Sequence, residues 1–141
     1  MIFEEWWPRL HGASTHLPVA LVPVAACFEV LALFVRGDEL RRHLRSAAAF
    51  LLPLAAVGSI ASVVSGFGLL RGEVLGQGAL RTHHIFVWPA FALLIGLTTW
   101  RMLVGPEISS RTLIGYRCAL VLNAALIVAA GFWGGELALS H

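Results

Sequence analysis

Residues 14–35 read STHLPVALVPVAACFEVLALFV, twenty-two positions with one formally charged side chain, Glu29. About 20 apolar residues in helical conformation cross the hydrocarbon of a bilayer, so this stretch reads as a transmembrane helix. Three more follow at Ser46 to Leu70, His83 to Val104 and Thr112 to Leu139. Together they consume nearly the whole chain of 141 residues. The fold class expected is therefore an all-α membrane protein, with four transmembrane helices in a single up-and-down bundle spanning residues 1–141.

Composition agrees. Hydrophobic residues make up 58% of the chain and charged residues 13%, about half the charged share of a soluble domain, and the mean hydropathy is +0.81. The opening MIFEEWWPRLHG carries Glu4 and Glu5 where a signal peptide carries positive charge, so it is expected to be retained. Trp6 and Trp7 would then sit at the membrane interface.

All ten basic residues are arginine. Seven (Arg36, Arg41, Arg42, Arg45, Arg101, Arg111 and Arg117) belong to the first connection, RGDELRRHLR (Arg36 to Arg45), or flank the third, around Gly105 to Arg111. Only Arg9, Arg71 and Arg81 occupy the other side. The positive-inside rule places the arginine-rich side in the cytoplasm and both termini in the periplasm of a bacterial inner membrane. The second connection, with Gly72, Gly76 and Gly78, reads as a flexible reversal. Topology accounts for the arginines, and the net charge of +2 gives no reason to invoke nucleic acid. No internal repeat is evident in the sequence.

This topology brings five of six histidines to the outer face: His11, His16, His83, His84 and His141, with His43 alone on the inner side. A single histidine at a helix end is ordinarily a boundary residue whose polar tip meets water. Five on one face instead point to metal ligation, because imidazole is the commonest metal-binding side chain. Helices one and three run in the same direction and are diagonal neighbours across a four-helix bundle, so His16 and His84 (or its neighbour His83) are expected at matched depth, able to hold a haem b from its two sides. His11 and His141 are left for a second ligand set or for propionate contacts. The alternative is a copper or zinc ion held by His11, His16, His141 and Glu136. A third reading is a cofactor-free subunit packed within a larger respiratory or photosynthetic complex. The chain lacks Cys-x-x-Cys-His, which excludes covalent haem attachment.

Other polar positions have local readings. Gly58, Ser62 and Gly66 place a small residue at every fourth position of helix two, which means either close helix packing or room for a porphyrin edge. Glu29 is expected to pair with Arg117, with Asn123 one to two turns deeper, since an isolated carboxylate in the membrane is costly; a proton or quinone site is the sharper alternative. Pro18, Pro23, Pro53 and Pro89 are expected to kink or open their helices. The run GFWGGELALSH, with Gly131, Gly134 and Gly135, should have a closely approached or flexible backbone.

HGASTHLPVAL (His11 to Leu21) resembles the pattern His-Pro-x-x-x-His-Phe-Pro-Ile-Ala-Leu that opens a bacterial family of small four-helix membrane proteins of unknown function, and GGELALSH (Gly134 to His141) resembles its closing Gly-Gly-Glu-Leu-x-x-x-His. His11, His16, Pro18, Ser65, Gly66, Gly134, Gly135, Glu136, Leu137 and His141 take matching places, as does the acidic Glu29; Gly12 and Leu17 depart from it. Members of that family are sometimes joined to c-type cytochrome domains. The resemblance thus implies redox work: a membrane electron-transfer subunit rather than an independent enzyme, with a quinol donor and a periplasmic cytochrome or larger redox complex as partner.

Overall fold

The computed structural model describes residues 6–104 and 110–139 of the chain. They form four helices: α1 (Trp6–Phe34), α2 (Asp38–Leu69), α3 (Gly78–Val104) and α4 (Ser110–Leu139). At 1.5 Å per residue each is about 40 Å or more long, enough to cross a hydrocarbon core of about 30 Å and emerge into the headgroup layers. All four are long and apolar enough to span a membrane. The bundle expected from the hydropathy pattern is present.

Helix pairing follows chain order. α1 packs most extensively on α2 and α3 on α4, while α1 with α4 and α2 with α3 close the ring. Among the described residues α1 does not approach α3, nor α2 α4, which makes them the two diagonals. Small residues dominate the interior: Ala25, Ala26, Ala48, Ala55, Ala56 and Ala90 pack around Val22, Leu52, Leu94 and Leu120. Outside, Leu31, Phe50, Val57, Leu103, Ile114 and Phe132 are exposed. Apolar residues on both sides are what a lipid-facing helix requires, since the tails are as apolar as the core and only close packing distinguishes them.

The arginine-rich first connection differs from expectation. Only Val35, Arg36 and Gly37 link α1 to α2, and Asp38 to Arg45 are helical. Asp38 and Glu39 lie in the first turn of α2, where carboxylates meet the positive end of the helix dipole. Arg41 donates to Asp38 Oδ1 at 2.8 Å and to the carbonyl of Val35 at 2.7 Å, stitching the end of α1 to the start of α2. These local contacts make a helix of a segment whose polarity alone reads as loop. The second connection, Leu70 to Gln77, is a true reversal. Gly72 and Gly76 within it, and Gly78 at the start of α3, take φ of +87°, +65° and +57°, a region that side chains disfavour. Trp88 Nε1 donates to the carbonyl of Val74 at 2.9 Å and ties this loop to α3. Pro18, Pro23, Pro53 and Pro89 all lie inside helices that continue through them. Most of the third connection is outside the described residues.

Candidate functional site

Which face of α1 points inward is fixed by its buried residues, Ser14, Pro18, Val22, Ala25, Ala26, Glu29 and Ala32. Counting back 18 positions from Glu29 rotates by about 1,800°, five whole turns, and lands on His11. His11 accordingly faces the bundle. Its Nδ1 lies 2.9 Å from the carbonyl of Ser62 on α2. A carbonyl only accepts, so Nδ1 carries the proton and Nε2 keeps its lone pair. Ser65 Oγ, 3.3 Å from the same nitrogen, donates its own proton to the carbonyl of Ala61.

His16 is a correction to the expected geometry. Five residues beyond His11 it is turned about 140° away, and it is exposed. The pair His16 and His84 is not assembled across the bundle interior.

On α3, His83 and His84 point to different neighbours. His83 Nδ1 lies 2.8 Å from the carbonyl of Ala130 on α4, so this ring too is an Nδ1–H tautomer with Nε2 free. His84 is buried, 6% exposed, and its Nδ1 has no hydrogen-bond partner among the described residues. The two rings are 5.6 Å apart between centroids, and His84 lies 6.0 Å from the ring of Trp88. Both His84 and His11 are within electrostatic reach of His83. His11, His83 and His84 thus lie toward the same end of the bundle, away from the arginine-rich first connection.

Two of these rings lie against glycines. A Cβ at Gly66 would come within 3.3 Å of the His11 ring, and a Cβ at Gly134 within 3.1 Å of the His83 ring. Gly58 and Gly68 are covered in the same way by Leu17 and Trp7. The small-residue row of α2 is thus filled by α1 side chains, which is the close-packing reading of that motif. Gly134 is the closely approached backbone expected near the end of α4, whereas Gly135 faces open space.

Of the expected ligand set His11, His16, His141 and Glu136, His16 and Glu136 are exposed, and His141 lies outside the described residues. Among the described residues no group of three or more His, Cys, Asp or Glu side chains could hold a metal ion. His43 is exposed on α2 at the arginine end.

At that opposite end Arg117 Nε donates to Glu29 Oε2 at 3.0 Å, with the carboxylate side chain 1% and the guanidinium 12% exposed. The expected ion pair is formed. Asn123 is buried one to two turns deeper, and neither of its amide atoms has a partner among the described residues. Buried Tyr116 stacks on Trp100 at 5.5 Å and lies within electrostatic reach of Glu29, Arg101 and Arg45. The sequence reading missed these three participants. The available signal was periodicity: Tyr116 adjoins Arg117, while Arg45 and Arg101 stand at the same end of their helices as Glu29 does of α1.

No curated protein and no solved structure matches the chain significantly. A family model described as "Predicted membrane protein (DUF2231)" matches residues 8–141, which takes in all of the four helices but the first two residues of α1, and with them His11, His83, His84 and the Glu29–Arg117 pair. The chain belongs to that family of membrane proteins.

Proposed function

We propose that the protein is a membrane electron-transfer subunit carrying an imidazole-bound transition-metal centre at the outer end of the bundle, with its ligands drawn from His11, His83 and His84. The observation that carries this reading is the matched locking of His11 and His83. Each gives its Nδ1 proton to a backbone carbonyl and keeps Nε2 available. Metal-ligating histidines characteristically use the second nitrogen in this way, because the bond fixes both tautomer and ring orientation. The Nδ1 of His84, whose ring lies 5.6 Å from that of His83, is buried and has no partner among the described residues.

This reading calls for imidazole donors alone and does not need His16. A haem iron is the first occupant to test and a copper ion the second; either, when bound, supplies one-electron transfer. The protein's own contribution is orientation and exclusion of water. Gly66 and Gly134 let the rings lie against the helix backbones, and Trp88, packed on Phe67 at 5.6 Å and near His84, covers the approach from α2 and α3. A quinol donor and a periplasmic cytochrome acceptor are the partners consistent with such a centre.

An absorption spectrum of the purified protein, combined with elemental analysis, tests the proposal. A Soret band with sharp reduced-state bands supports haem; stoichiometric copper without a Soret band supports the ion. Protein that contains neither, including after expression with added metal and haem precursor, overturns the proposal and favours a cofactor-free packing subunit.

A further inference from the structure

We infer that the bundle is one helical hairpin used twice, the copies related by a two-fold axis along the membrane normal, and that a single metal centre is bound on that axis by two equivalent imidazole nitrogens, Nε2 of His11 and Nε2 of His83. This rests on the metal reading of the outer end and narrows it, because His84 stands outside the ligand pair.

The duplication is carried by burial. His83 follows His11 by 72 positions, and the same step carries Pro18, Val22, Ala25 and Ala26, buried on α1, onto Ala90, Leu94, Leu97 and Thr98, buried on α3. Ala130 and Gly134 follow Ser62 and Gly66 by 68 positions, and that step carries Ala48, Leu52, Ala55 and Ser59, buried on α2, onto Tyr116, Leu120, Asn123 and Ile127, buried on α4. Shifting either step by one residue turns the helix by about 100° and destroys the match. Helix neighbours obey the same exchange: α1 on α2 becomes α3 on α4, and the contact of α1 with α4 becomes that of α3 with α2. Both hairpins start from the histidine end, so the axis runs along the bundle, as in membrane proteins built from parallel repeats.

Symmetry then selects the ligands. The axis exchanges His11 and His83, each ring seated by an Nδ1–H bond to the next helix with Nε2 kept as an acceptor. A centre that both rings reach equally lies on the axis between the diagonal helices α1 and α3, and the two rings are within electrostatic reach of each other. His84 has no such counterpart. The residue 72 positions before it is Gly12, and of the buried positions of α3 only His84 falls outside the match. The axis asks for two protein ligands, and among the described residues no group of three His, Cys, Asp or Glu could hold a metal ion. A haem iron and a bare copper ion share this imidazole pair.

Titration of the full chain in detergent, cleared of metal, with copper(II) and separately with haemin tests the pair. One equivalent of one of them is expected to bind, and protein carrying nitrogen-15 histidine should show two equivalent coordinating nitrogens by pulsed electron paramagnetic resonance. His11→Asn and His83→Asn keep an amide donor at the place of Nδ1 and remove Nε2. Each should weaken binding by more than about tenfold, and alike, while its melt stays near that of the wild type. His84→Ala should bind as the wild type does. Uptake of copper without haemin supports the pair with a bare ion, and uptake of haemin supports it with haem. Binding lost in His84→Ala, or kept in His11→Asn or His83→Asn, overturns the pair and leaves the metal reading standing. A wild type that takes up neither overturns that reading and the pair with it.

Discussion

His11 and His83, on the diagonal helices α1 and α3, are held in the same way: each ring donates Nδ1–H to a carbonyl on the next helix in the chain and lies against the glycine four residues beyond that carbonyl. For His11 the pair is Ser62 and Gly66; for His83 it is Ala130 and Gly134. The two hairpins, α1–α2 and α3–α4, thus carry one device twice. No repeat is visible in the sequence because only the histidine and the glycine recur, while the carbonyl is supplied by whatever residue stands four places earlier.

From that device it follows that His11→Ala and His83→Ala should each lower bound metal or haem by more than about tenfold, since a ligand and its orienting bond are lost together. His16→Ala and His43→Ala, both at exposed positions, should leave it unchanged. Metal content and absorption of the four purified variants decide this, and a lost signal in His16→Ala would restore the pairing of His16 with His84.

Glycine substitutions separate contact from chain freedom. Gly66→Ala and Gly134→Ala place a Cβ 3.3 and 3.1 Å from an imidazole that is itself hydrogen-bonded, and should destabilise by about 1–3 kcal/mol. Gly12→Ala and Gly135→Ala meet open space and should be neutral or stabilising by up to about 1 kcal/mol, because glycine is a poor helix former. Thermal melts in one detergent provide the comparison.

Glu29 and Arg117 should behave as a coupled pair. Arg117→Ala leaves a buried carboxylate uncompensated, and a loss of about 3–5 kcal/mol is expected. Adding Glu29→Gln should recover part of it. Strictly additive effects in the double variant would show that the 3.0 Å contact carries no coupling.

Orientation is tested by reporter fusions. Reporters after His141 and within residues 72–77 should be active outside the cytoplasm, and reporters within Val35 to Gly37 inside it, as the seven-to-three arginine distribution requires. A cytoplasmic C-terminus would move the histidine cluster to the inner face and reverse the assignment of donor and acceptor sides.

Much of this molecule is legible without coordinates. Hydropathy alone marks four spans, because the bilayer sets both the length and the polarity a crossing helix must have. The cost of a lone intramembrane carboxylate is enough to pair Glu29 with an arginine at the same depth. Polarity misleads at Asp38 to Arg45, where a charged run reads as loop but Arg41, Asp38 and the helix dipole make it helix.

What only tertiary packing decided is which way each histidine faces. Depth along the membrane normal is written in the order of residues, so the sequence brings His11, His16, His83 and His84 to one end. Rotation about each helix axis is not, because helices that are apolar all round carry little amphipathic signal. It is set by where small residues let neighbours approach: Gly58 under Leu17, Gly66 under His11 and Gly134 under His83. That packing turns His11 inward and leaves His16 about 140° away on the outer surface.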